Sequence, residues 1–204
     1  MKKNLTPQQR EEMIAEKYYY GEGHCEMDLI QAMNHYKAAM RLGSAIACSK
    51  IGRMYDTGKG VPIDTEMALE YYKAGAKRKD PLSTYYLMQH YFETEQSEEA
   101  MHTWHLLIET GDSRTISLGI LSYLKYCREF AIPRSLMDMD SVLAYMEDAR
   151  LFWEDEHLAS ESSGQYYFQS ELNLLNELLE YYTEGWKDEP AEDVQIKAGP
   201  SAAD

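Results

Sequence analysis

The stretch Ala47 to Ala76, ACSKIGRMYDTGKGVPIDTEMALEYYKAGA, decides the fold. Ala47, Ile51, Gly52 and Tyr55 fall on one face of a helix, and Ala68, Tyr71, Tyr72 and Gly75 fall on one face of a second. Gly58 and Gly60 stand between them and supply a tight turn. Small residues where the helices touch allow close approach, and tyrosines fill the space beside them. The spacing predicts a two-helix hairpin.

The hairpin recurs along the chain. Toward the N-terminus, Ile14, Ala15 and Tyr18 take the slots of Ile51, Gly52 and Tyr55, after a helix start at Thr6-Pro7. Gly21 and Gly23 match Gly58 and Gly60 at an offset of 37, while Ala32, His35, Tyr36, Ala39 and Met40 match the second helix at an offset of 36. One residue has moved in the loop while both helices keep register, as loops tolerate length changes better than packed helices do. A third hairpin starts at Asp80-Pro81 with Leu87 and Tyr91, then Ala100, Thr103 and Trp104; its turn, Glu93 to Glu98, has lost both glycines. In a fourth, Thr115, Gly119 and Tyr123 follow Gly111, a long loop runs Cys127 to Asp140, and a helix covers Ser141 to Glu154 or beyond. The polar run Glu154 to Gly164 reads as a break, and the last helix, Gln165 to Glu184, repeats the slot spacing in Leu178, Tyr182 and Gly185.

This pattern resembles the Sel1-like repeat, a tetratricopeptide-like helical hairpin running Ala-x-x-x-Leu-Gly-x-x-Tyr-x-x-Gly-x-Gly-Val-x-x-Asp-x-x-x-Ala-x-x-Trp/Tyr-Tyr. Ala47 to Tyr72 match it nearly throughout, with Ile51 in the Leu slot. The resemblance implies an all-α superhelical solenoid over residues 1–185, with repeats at about 7–43, 44–79, 80–111 and 112–160 and a capping helix at 165–185. Residues 186–204, without periodicity and rich in acids, are expected to be a disordered tail.

Composition agrees with an all-α chain: among 204 residues there are six prolines, and no alternating strand pattern appears. Of the formal charge of −15, residues 147–161 and 186–204 hold −8, leaving −7 for the body. No basic stripe is available to replace phosphate counterions, so nucleic-acid binding is excluded, and the acidity suits solubility or a basic protein partner. No apolar run approaches the ~20 residues of a membrane span, and none follows the N-terminal lysines as a signal peptide requires. Cys25, Cys48 and Cys127 are an odd number at unrelated spacings. The chain reads as cytoplasmic with reduced thiols.

No nucleophile elbow, P-loop, dinucleotide fingerprint or zincin motif is present. His102 and His105 are three apart on one helix without a third ligand at a matching interval, and the pair His24-Cys25 is insufficient for a metal. His35 occupies an aromatic packing slot. Gly21-Glu22-Gly23 and Gly58-Lys59-Gly60 follow helices and recur, so they turn the chain. The expectation is no enzyme, no cofactor and no metal.

Function then rests on a surface. Counting each first helix from its Ala position, slots 0, 4, 5 and 8 face the core, and slots 2, 6 and 9 project 180–240° away at ~100° per residue. By the resemblance, those slots line the concave groove of the solenoid. They hold Tyr19 in the first repeat, Arg53 in the second, Tyr85, Gln89 and Phe92 in the third, and Leu121 and Leu124 in the fourth. Two readings of the apolar members stand: anchors for a partner within a polar rim, or residues packed against one another. The leading functional reading is a non-enzymatic scaffold or adaptor that binds a protein or peptide partner, basic in character, through this groove. A narrower version is an immunity or inhibitor protein neutralising an effector. A metal- or small-ligand-binding helical protein is the reading from another class, and homodimerisation through the same groove is a further arrangement.

Overall fold

Four of the helices begin at a side-chain cap that the sequence supplies. Thr6 precedes α1 (Pro7–Tyr20): the Gln9 backbone N–H donates to its hydroxyl at 3.3 Å and its own N–H donates to the Gln9 side chain at 2.9 Å. This reciprocal pair satisfies two donors that a helix start leaves orphaned. Asp28 caps α2 (Leu29–Arg41), Asp64 caps α4 (Thr65–Ala76), and Asp80 caps α5 (Pro81–Glu93). Gly21 and Gly58 close α1 and α3 (Ile46–Thr57) with φ of 69° each, the left-handed conformation that terminates a helix at lowest cost for glycine.

The computed structural model describes residues 5–23, 25–129, 139–161 and 169–182, and within them the chain is an all-α helical repeat solenoid. After α5 come α6 (Ser97–Thr110), α7 (Ser113–Glu129), α8 (Met139–Glu161) and α9 (Gln169–Glu180). α1 packs on α2, α3 on α4, α5 on α6, and α7 on α8. Along the stack, α2 packs on α3 and α4 on α5, while the first helices also meet one another: α3 on α5, α5 on α7, and α7 on α9. First helices therefore form an inner layer and second helices an outer one.

The close approaches are made by glycines. A Cβ on Gly52 would collide with the Tyr72 ring, and one on Gly75 with the Ser83 hydroxyl. One on Gly119 would lie 2.6 Å from Leu107 and 2.8 Å from Trp104. Trp104 lies flat against Tyr123, with ring centres 5.4 Å apart. The principal core runs from Met88 through Trp104, Ile120, Met146 and Trp153 to Leu175, Leu178 and Tyr182.

Two expectations change. α7 continues through Cys127 to Glu129 rather than entering a loop at Cys127. α8 continues to Glu161, so the acidic run is helix up to that residue and not a break. It lacks Gly and Pro before Gly164, and Arg150 donates to Glu147 and Glu154 one turn either side, at 2.5 and 2.6 Å. The third turn, without glycine, still uses the left-handed region, with Glu95 at φ 57°. The stretch around Pro133 and the tail 186–204 lie outside the described residues.

Cys127 is buried, and desolvation pushes its thiol up to about 11. The folded state thus holds the proton more tightly than the unfolded chain. Stability from this group is complete below the unfolded thiol pKa, about 8.5, and is lost as pH rises through about 11. Native protein at pH 8 is expected to leave Cys127 unalkylated by iodoacetamide while the denatured chain reacts, and thermal stability should fall on going from pH 9 toward pH 11. Independently, Glu95→Gly relieves left-handed strain at a non-glycine residue and is expected to raise unfolding free energy by about 0.5–1 kcal/mol, read from chemical denaturation.

Candidate protein-binding face

The inner layer of the first three hairpins carries a ladder of cations and tyrosines. Arg53, exposed on α3, lays its guanidinium over the Tyr86 ring of α5 at 5.0 Å and donates to the Tyr86 hydroxyl. Tyr86 in turn meets the Tyr72 ring at 5.2 Å and the Tyr85 ring at 5.3 Å. The Tyr72 hydroxyl donates to Asp56 at 3.4 Å. Burial first, and then the Asp56 carboxylate, hold the Tyr72 phenol far above its ordinary range, so it remains a donor at any physiological pH. Gln89, half-buried, lines a small cavity of about 60 Å³ with Asp56, Tyr72, Tyr86 and Glu93.

One rung lower, Lys59 sits over the Tyr19 ring at 5.2 Å and donates to its hydroxyl at 3.0 Å. Lys59 is the middle residue of the Gly58-Lys59-Gly60 turn. A Cβ on Gly60 would come within 2.9 Å of the Leu29 carbonyl oxygen, so glycine lets this turn rest on the start of α2 and brings Lys59 to Tyr19. The acids of α1 lie beside this rung. Glu16 pairs with Lys50 at 3.4 Å, and the buried Tyr36 phenol is raised by desolvation and then by Glu16, with Glu12 contributing. The face thus combines an acidic end with aromatic-backed cations in its middle. Arg53 spends one of a guanidinium's five N–H donors on Tyr86.

Of the seven side chains assigned to the groove, Tyr19, Arg53 and Gln89 are accessible on this face. The other four are placed differently. Tyr85 is 9% exposed, Phe92 7%, Leu121 6% and Leu124 0%, and all four belong to the principal core. The reason is packing between first helices: slots 2, 6 and 9 project away from the hairpin partner but toward the next inner helix. Phe92 stacks on Tyr126 of α7 at 4.4 Å, and the α9 residues Leu175, Leu178 and Tyr182 share the core with Leu121 and Leu124. The Tyr182 hydroxyl donates to the Leu124 carbonyl at 3.1 Å. The open reading for these side chains therefore resolves to mutual packing. Tyr86, Tyr72 and Lys59 were missed by the slot count; Lys59 was visible as the residue between two repeat-turn glycines.

Among the described residues, no three His, Cys, Asp or Glu side chains are placed to hold a metal. His102 and His105 are exposed on α6. His35 ring-stacks with Tyr18 at 5.6 Å and bonds Glu11 at 2.7 Å, joining α1 to α2. His24 lies outside the described residues. No described helix is long and apolar enough to cross a membrane.

With this geometry in hand, comparison with known proteins identifies the repeat. The Sel1 repeat family model matches residues 13–44 and 45–80. The ERAD-associated E3 ubiquitin-protein ligase component HRD3A of Arabidopsis thaliana is 27% identical over 168 residues, 72% of this chain and 25% of that protein. The HRD3B component from the same plant is 37% identical over 60 residues, 29% of this chain and 10% of its own length. The chain therefore spans a quarter or less of these relatives. Among solved structures, a protective antigen of uropathogenic Escherichia coli strains with an SLR fold superposes with a TM-score of 0.58 at 16% identity, covering 88% of this chain and 42% of that one. A Sel1 repeat protein from Oxalobacter formigenes covers 87% of this chain and 91% of its own, at 18% identity and a TM-score of 0.48. The two family matches fall on the first two hairpins, so residues 13–80 carry two Sel1 repeats, and the fold neighbour shares the helical-repeat fold over the rest of the stack.

Proposed function

We propose that this chain is a non-enzymatic interaction scaffold that seats a segment of a protein partner across the inner face formed by Tyr19, Arg53, Tyr86 and Gln89. The observation that carries the reading is the Arg53–Tyr86 pair. An exposed arginine is held in one orientation by an aromatic ring on the neighbouring repeat, although the fold gains little from a solvent-facing cation. Arg and Tyr are the residue types in which binding energy concentrates, and a pre-oriented side chain loses less entropy when a partner arrives.

Glu12 and Glu16 at the α1 end favour a partner with a basic residue there. The two plant relatives are named as components of a ubiquitin ligase, which supports membership of a multi-protein assembly. Cys25, Cys48 and Cys127 are all free thiols, which fits a reducing, cytoplasmic setting.

The decisive comparison is capture from the native cell by wild type and by Arg53→Glu, with quantitative mass spectrometry. Recovery of the specific partner is expected to fall about tenfold or more, in line with a hot-spot loss of ~2 kcal/mol, while the melting temperature moves by no more than a few degrees. Undiminished capture would remove the inner face from consideration, and a large fall in stability would make Arg53 a structural residue. Size-exclusion chromatography of the same two proteins separates a partner from a second copy of this chain: only a homodimer through this face would shift elution upon substitution.

A further inference from the structure

α4 and α6 both pack on α5 but not closely on each other, and a cleft of about 920 Å³ remains between them in the outer layer. Leu87 and Tyr91 of α5 form its apolar floor, with Leu106 at the α6 side. The two walls carry opposite charge. On the α4 side Glu70 pairs with Lys73 at 3.6 Å, which leaves Lys77 and Lys79 as the unpaired cations of that wall, and Glu98 and Glu99 edge the α6 side.

Among the described residues, no ion pair holds Lys77, Lys79, Glu98 or Glu99, and all four are exposed. Left to themselves the walls attract each other across the gap. α5 lies between them as a fixed spacer, so the four charges stay solvent-facing and open to an occupant of complementary charge. Lys79 adds a second observation: it adopts φ 60°, a conformation in which glycine would be relaxed, yet the position holds a lysine at the cleft edge.

We infer that this cleft receives an amphipathic helix of a partner protein, one with an apolar stripe, acidic residues along one flank and basic residues along the other. A helix lying between two helices on an apolar floor is a recurrent mode of peptide recognition. The charge pattern narrows the chemistry. A uniformly acidic helix meets Glu98 and Glu99, a uniformly basic one meets Lys77 and Lys79, and nucleic acid is repelled by the glutamate wall. The site is separate from the inner face and does not depend on how that face is used.

The probe is a set of fluorescein-labelled synthetic peptides of about 14 residues, near the length of the walls at 1.5 Å per residue. Each carries leucines at i, i+3, i+4, i+7 and i+11; the flanks are bipolar (Glu on one side, Lys on the other), all-Glu or all-Lys, and a fourth peptide scrambles the bipolar sequence. Fluorescence anisotropy against the full chain is expected to show the bipolar peptide binding at least about tenfold tighter than the other three. Lys77→Glu with Lys79→Glu should weaken it by a similar factor, and Arg53→Glu should leave it unchanged. Exchanging the four unpaired charges, by adding Glu98→Lys and Glu99→Lys, should restore binding, because the same helix can lie in the cleft end for end. Circular dichroism confirms that each variant is folded, and Lys77→Gln with Lys79→Gln replaces the reversal if that variant is not. Equal binding of single-sign or scrambled peptides, no binding of the bipolar peptide at about 1 mM, indifference to the lysine substitutions, or failure of the four-residue exchange to restore affinity would each overturn the inference.

Discussion

The structure depends on how closely the helices approach at their glycine contacts. At Gly52 the Tyr72 ring occupies the volume that any side chain would need, and at Gly75 the Ser83 hydroxyl and the Cys48 Cβ do the same. The first contact sets the spacing within the second hairpin. The second sets the spacing between that hairpin and the third. Because interiors are packed to the density of organic crystals, a contact of this kind has one geometry and not a range. The inner and outer layers follow from it. Gly119 repeats the device against Trp104 and Leu107 with different partners, so close packing persists where the sequence motif has faded.

This spacing decides which side chains remain outside. From α5 onward, each inner helix packs against the next, and α9 completes the series by covering α7. Aromatic and aliphatic residues of the third and fourth repeats are consumed there as core. Toward the first two repeats the inner helices leave Tyr19, Arg53 and Lys59 in reach of solvent, backed by rings. The chemistry on the inner face is thus concentrated at one end of the stack, and the outer cleft between α4 and α6 is a second product of the same spacing.

The helices, their starts and two of the turns could be read from the chain because each is encoded by local chemistry. Thr6-Pro7, Asp28, Asp64 and Asp80 act within four residues of themselves. The groove was read less well, and the failure has a specific cause. An angular slot fixes the direction of a side chain relative to its own helix, but burial depends on what stands in that direction. For Leu121 and Leu124 it is α9, more than fifty residues away, and nothing near them announces it. The α8 acidic run has a related cause: polar composition alone does not end a helix, and neither Gly nor Pro interrupts the chain between Met139 and Glu161. Lys59 and Tyr86 form pairs across 40 and 33 residues, which a slot count within one hairpin does not reach.

Tyr72 shows why the fold and the candidate face are not separable. Its ring fills the space over Gly52, its hydroxyl reaches Asp56, and the same ring packs against Tyr86, on which Arg53 rests. A side chain committed to the core in this way has little rotamer freedom left, so the residues leaning on it inherit a fixed geometry without further support. A surface arginine placed by a flexible loop would have to be ordered by its partner. Here the ordering is done during folding, by the same tyrosine and glycine contact that spaces the helices. That coupling gives a physical reason for tyrosine in this slot: phenylalanine would fill the volume over Gly52 equally well, but it would leave Asp56 without its donor.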